Sequence, residues 1–170
     1  MSAVKFYGKY RGIVVNNVDP EQRGRIMAMV PDIAGLTPGS WALPCVPFAG
    51  KQSGVYVVPQ VGAGVWIEFE QGDPDFPIWT GGFWGSAAEV PTLAMAGNPA
   101  SPSVILASGL LNSISISDVP GPTGGIMIKA ISGAMIVVNE IGITISNGQG
   151  ASIVMTGPSV TVNNGALVVT

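Results

Sequence analysis

At 170 residues with 47% hydrophobic content, the chain is long enough to bury a real core, which argues against disorder and leaves room for one domain or for one domain plus an extended module. Only 10% of residues are charged and the net charge is -3, so the clustered Lys and Arg of a nucleic-acid binder are missing. Histidine is absent and Cys45 is the single cysteine, which removes an intrachain disulfide, the commonest general base and the commonest metal ligand. No catalytic residue, cofactor or metal ligand is assigned. Residues 1–7 lack an apolar signal-peptide core and no run approaches a membrane span, so synthesis in the cytoplasm without a Sec-type signal is expected.

In chain order, residues 7–15 are aromatic and β-branched and end at the turn-rich Asn16-Asn17-Val18-Asp19-Pro20, which predicts a first strand. Gly12 in its middle predicts a bulge or sharp coil. Residues 25–30 form a second strand with Ile26, Ala28 and Val30 on one face, stopped by Pro31. Residues 32–40, with Gly35, Pro38 and Gly39, read as a loop. Short strands follow at 41–46 and 55–58, with a turn at 49–54 between them. Val65, Ile67 and Phe69 then alternate with Trp66, Glu68 and Glu70, a half-buried strand that turns at Gly72-Asp73-Pro74-Asp75 and returns over 78–83. Five or six short strands without helical periodicity fit an OB-fold barrel, with a small sandwich as the alternative.

Past Trp84 no aromatic residue remains, and past position 100 only Asp118, Lys129 and Glu140 are charged. The pairs Ile114/Ile116, Ile126/Ile128, Ile136/Val138, Ile153/Met155, Val160/Val162 and Leu167/Val169, with the triplet Ile141/Ile143/Ile145, mark short strands every 8 to 10 residues or so, separated by Gly, Asn, Pro and Ser. Each is too short and too poor in bulk to cover its own apolar face. Units of that length suit a triangular prism to which three chains each give one face, so a homotrimer is expected.

Several local patterns have plain structural explanations. Glu68 and Glu70, two apart on one strand face, could suggest a carboxylate pair for glycoside hydrolysis, yet they lack the flanking geometry and are expected to be solvated. Asp73 and Asp75 lack the Gly and terminal Glu of a calcium loop and read as turn formers. Gly62-Ala63-Gly64 has no following lysine or helix and reads as a turn, and Cys45 reads as a small core residue. Trp66, Trp79 and Trp84 form a candidate exposed aromatic face for stacking, with packing against another surface as the preferred alternative.

Across the first 85 or so positions an ordered set of segments resembles the OB-fold domain of the phage baseplate spike family, which includes baseplate assembly protein V and the VgrG proteins of type VI secretion. The segments are Tyr10-Arg11-Gly12-Ile13-Val14 with Asp19-Pro20, Gly24-Arg25-Ile26 with Val30-Pro31, Trp41-Ala42-Leu43-Pro44, Pro47-Phe48-Ala49-Gly50, Pro59-Gln60-Val61-Gly62, Val65 to Asp73, and Pro77 to Gly82. Residues 113–170 resemble the trimeric β-prism that follows in those spikes. The expected architecture is therefore all-β: an OB-fold domain at 1–85, a connector at 86–108, and an intertwined trimeric β-helix spike at 109–170.

The resemblance implies a structural, non-enzymatic central spike that caps the inner tube of a contractile injection apparatus and crosses a target membrane transiently when the sheath contracts. A chain of this length lacks the hub domains of VgrG, which implies a separate hub protein at the barrel. No lysozyme insert and no histidine are present, so neither lysozyme activity nor an iron-bearing tip carries over. The uncharged terminal stretch Leu167, Val168, Val169, Thr170 is the expected interface for a separate PAAR-type tip protein. The alternative function is a trimeric carbohydrate-binding or adhesin module with an OB-fold head.

Overall fold

The computed structural model describes residues 4–33, 40–95, 99–101, 103–122 and 124–169. The chain divides into two units, Met1–Ala87 and Ala88–Thr170. The loop expected around Gly35, Pro38 and Gly39 lies outside the described residues, as does Thr170.

In the first unit the strands are β1 (Tyr10–Asn16), β2 (Met27–Met29), β3 (Leu43–Pro44), β4 (Ala49–Gly50), β5 (Ser53–Gly54), β6 (Gly64–Phe69) and β7 (Pro77–Phe83). Five of them form one sheet in the order β2-β1-β6-β7-β3, antiparallel except for the β3–β7 pair. Ile26 and Ala42 exchange backbone hydrogen bonds of 3.2 and 2.8 Å, and this bridge ties the approach to β2 to the approach to β3. The sheet thus closes into the five-stranded OB barrel.

The period-2 alternation seen in β6 places Val65, Ile67 and Phe69 inside, where they meet Val14, Ile26, Val30, Ile33, Ala42 and Trp79. Gly12 is not a bulge. The β1–β6 register runs through it without a break, and a Cβ there would stand 3.0 Å from Ile67 Cγ1, so glycine is favoured by close approach rather than by bending. The irregularity falls between Val14 and Asn16, opposite β2. Residues 55–58 form no ladder; the pairing in that region is the small β4–β5 hairpin just before them. Cys45 is exposed rather than a core residue: its N–H still donates to the Trp79 carbonyl at 2.9 Å beside β7, but the buried side chain of this segment is Ala42.

The second unit contains β8 (Val104–Ala107), β9 (Ser113–Ser117), β10 (Gly125–Lys129), β11 (Met135–Asn139), β12 (Gly142–Ser146), β13 (Ser152–Thr156), β14 (Ser159–Val162) and β15 (Leu167–Val169). They form one antiparallel meander in which each strand pairs only with its sequence neighbours. Its first strand, β8, arises inside the stretch expected to be connector. One turn of helix, α1 (Thr92–Met95), precedes it. Ile141 does not continue the Ile143/Ile145 strand; it lies in the turn before Gly142, where the Asn139 carboxamide accepts hydrogen bonds from the Ile141 and Gly142 N–H groups.

Candidate functional site

Two features of the sequence converge in the second unit: an apolar residue at every other strand position and turns that keep the register. The register aligns Val104, Ile116, Ile126, Val138, Ile143, Met155, Val160 and Val169 in one row across the sheet. A second row on the same face runs Leu106, Ile114, Ile128, Ile136, Ile145, Ile153, Val162 and Leu167. No polar residue interrupts either row. Between them on the opposite face runs a mixed row that includes Ser115, Met127, Val137, Thr144 and Thr161.

Among the described residues of the second unit nothing covers the apolar face. Ile128 is 48% exposed and Ile136 41%, and every buried hydrophobic side chain among the described residues belongs to the first unit. Completing the burial of a half-exposed aliphatic side chain contributes roughly 1 kcal/mol. Over two full rows that is on the order of 10 kcal/mol per chain, comparable to the cost of association. A face of this size is an interface lacking its partner.

Glycines set the edges of the sheet. Gly142 has φ +151°, and a Cβ there would collide with the Met155 carbonyl oxygen; Gly125, φ +86°, would similarly strike the Val138 carbonyl. Strand-to-strand approach at these ends is backbone against backbone. Glu140 accepts a hydrogen bond from the Gly121 N–H at 3.2 Å and Asn163 Oδ1 one from the Ser152 N–H at 3.0 Å, tying successive turns together.

Leu167, Val168 and Val169 form β15, the outer strand of the meander, and all three are exposed. Leu167 and Val169 continue the two apolar rows, whereas Val168, paired with Thr161, points to the other face.

In the first unit the strongest polar constellation was not singled out from sequence. Asp19 is almost fully buried, and its carboxylate accepts backbone N–H bonds from Glu21, Arg23 and Arg25 at 2.9, 2.8 and 3.2 Å. Arg25 donates Nε and Nη2 to the same carboxylate at 3.0 and 2.6 Å and stacks 5.4 Å from the Trp41 ring. The Arg25 side-chain bond, opposed by burial and assisted by the backbone donors, holds the Asp19 carboxyl well below the usual carboxylate range. This is a structural clasp: it fastens the β1–β2 loop, and next to it the Gly24 carbonyl accepts the Trp79 indole N–H at 3.1 Å. The signal available in sequence was Asp19-Pro20 followed by Arg25 six residues on.

The other residues singled out do not assemble into a site. Glu68 pairs with Lys9 on the outer barrel face, while Glu70 begins a 3-10 turn beyond the strand, so the two do not share a strand face. Asp73 Oδ1 accepts the Asp75 N–H at 3.1 Å, as a turn former does. Gly62 donates its N–H to Val14 O at 2.8 Å within a turn. Trp79 is core, so the candidate aromatic face loses its middle member; Trp66 stacks with Phe83 at 5.0 Å and Trp84 stands exposed.

A five-stranded OB barrel joined to a sheet with one entirely apolar, uncovered face defines a modular, self-associating all-β protein. Comparison with known families agrees: residues 10–84 match the type VI secretion system/phage-baseplate injector OB domain, and residues 103–168 match the phage baseplate V C-terminal trimerisation domain. The chain belongs to the baseplate V/VgrG-like spike family, and its second domain makes it a homotrimer. No curated protein gives a significant match. Both families are structural baseplate domains. Among the described residues no helix is long and apolar enough to cross a membrane.

Proposed function

We propose that this protein is the central spike of a contractile injection apparatus, capping the inner tube and piercing a target envelope when the sheath contracts. The observation that carries it is the pair of unbroken apolar rows across the eight strands of the second unit. Three such faces turned inward form a triangular prism whose interior is continuous hydrocarbon, and the strands then wind or abut into a β-helical shaft. Stiffness follows from packing: bending the shaft opens both backbone ladders and a closely packed core. Within this reading 1–85 is the barrel and 109–170 the body of the shaft, to whose sheet the end of the 86–108 connector adds β8. A separate hub protein binds the barrel. A PAAR-type tip protein covers the C-terminal stretch Leu167, Val168, Val169 and Thr170, of which Leu167, Val168 and Val169 form the exposed outer strand of the sheet.

Native mass measurement of the full chain, followed by electron microscopy of assembled particles, tests the proposal. A trimeric mass and density for the chain on the tube axis are expected. A monomer, or a position at the particle periphery, would sink the spike reading.

A further inference from the structure

The outer face of the barrel carries its own apolar patch. Ile13 of β1 lies directly across from Met29 of β2, and Ile13 and Gly64 are partners in the β1–β6 ladder. Gly64 in turn faces Phe83 of β7, whose ring folds over it so closely that a Cβ at Gly64 would stand 2.7 Å from the ring. Met29, Ile13 and Phe83 therefore form one cross-strand row, flanked by Val15 and by Trp66. Arg11 lies 5.7 Å from the Trp66 ring and 5.4 Å from the Phe83 ring, so its guanidinium is stacked against the patch. Ile13, Val15 and Met29 are exposed although each faces away from a barrel core that is already filled.

We propose that this patch is a second contact between copies of the chain, packing each barrel against the barrel of a neighbouring protomer. The inference rests on the trimer formed by the second unit. The patch reaches Phe83, the last residue of the barrel sheet, directly before the chain leaves toward the trimerisation domain. Three copies joined through residues 103–168 hold two further barrels at an effective concentration of about 1 mM across a short connector. At that concentration even a weak apolar contact is populated, and in a three-fold ring the row is covered either by a different surface of the neighbouring barrel or by the three identical rows converging on the axis. A freely tumbling barrel would keep the row in water; a second copy removes it.

The test uses the full chain with the photoreactive residue p-benzoylphenylalanine in place of Met29, irradiated in dilute solution. Covalent adducts joining position 29 of one copy to residues 1–87 of another are expected. Ile13→Glu in the same background should leave the mass trimeric and lower the adduct yield at least tenfold; Ile13→Ser, the milder change, should lower it severalfold. Adducts confined to one chain, to residues 103–168 or to a co-expressed partner protein would overturn the barrel contact, as would an undiminished yield in both variants. A monomeric parent chain would overturn the trimer and this contact together, whereas a trimer without barrel adducts would overturn the contact alone.

Discussion

At the scale of single residues, the clasp of Asp19 and Arg25 sets the acid limit of the barrel. The folded-state pKa of Asp19 is lowered, so the ion pair contributes in full above the unfolded carboxylate value of about 4, and its contribution is lost as pH falls below that value toward the depressed one. Acid titration followed by tryptophan fluorescence should therefore show barrel unfolding below about pH 4, and Asp19→Asn should remove that part of the pH dependence while lowering the melting temperature by several degrees at neutral pH. An unchanged acid limb in Asp19→Asn would show that another carboxylate governs it. Gly142 is the corresponding point in the sheet. Gly142→Ala should destabilise the second unit by more than about 1 kcal/mol, because the new methyl meets the Met155 carbonyl at a backbone angle that alanine rarely adopts. Circular dichroism melts compare the two directly.

At the scale of elements, neighbouring positions on one strand should behave oppositely. Ile136 lies on the apolar face of β11 and Val137 on the mixed face. Ile136→Asp should weaken trimerisation by on the order of a hundredfold or more, since each of three copies would bury an unpaired charge. Val137→Asp should leave the mass trimeric; dissociation by both, read by sedimentation, would mean that the apolar face is not the buried one. Much of this was legible in the sequence, because a strand period of two needs only the spacing Ile126/Ile128 or Ile153/Met155 to reveal its face. The barrel hairpin was legible for the same reason: Val65, Ile67 and Phe69 alternate and Asp73-Pro74 must turn. What could not be read depended on neighbours distant in the chain. Gly12 looked like a bend until Ile67, from a strand more than fifty positions later, was found against it. Cys45 reads as apolar and internal, yet it is Ala42, bridged to Ile26, that is buried, and Cys45 is exposed. The clasp at Asp19 required knowing that a loop returns three N–H groups to a single carboxylate.

At the scale of the whole molecule, the two units have different reasons to fold. The barrel owns its core, whereas the sheet borrows one from other copies. All four tryptophans, Trp41, Trp66, Trp79 and Trp84, belong to the first unit, so their fluorescence reports on the barrel alone. On progressive dilution, far-ultraviolet dichroism should lose strand signal as trimers dissociate while the fluorescence of buried Trp79 persists. Simultaneous loss of both signals would mean that the barrel depends on its neighbours to fold.

The meander also bears on how such a protein changes size. A ladder linking only sequence neighbours has no distant register to disturb, so a hairpin can be excised or duplicated without rewiring the remainder. Each strand spans about 4.8 Å across the sheet, and strands must come and go in pairs for the chain to leave in its original direction, so the permitted increments are about 10 Å. Gene lengths among close kin of this protein should cluster at intervals of one hairpin, a ruler written in pairs of strands.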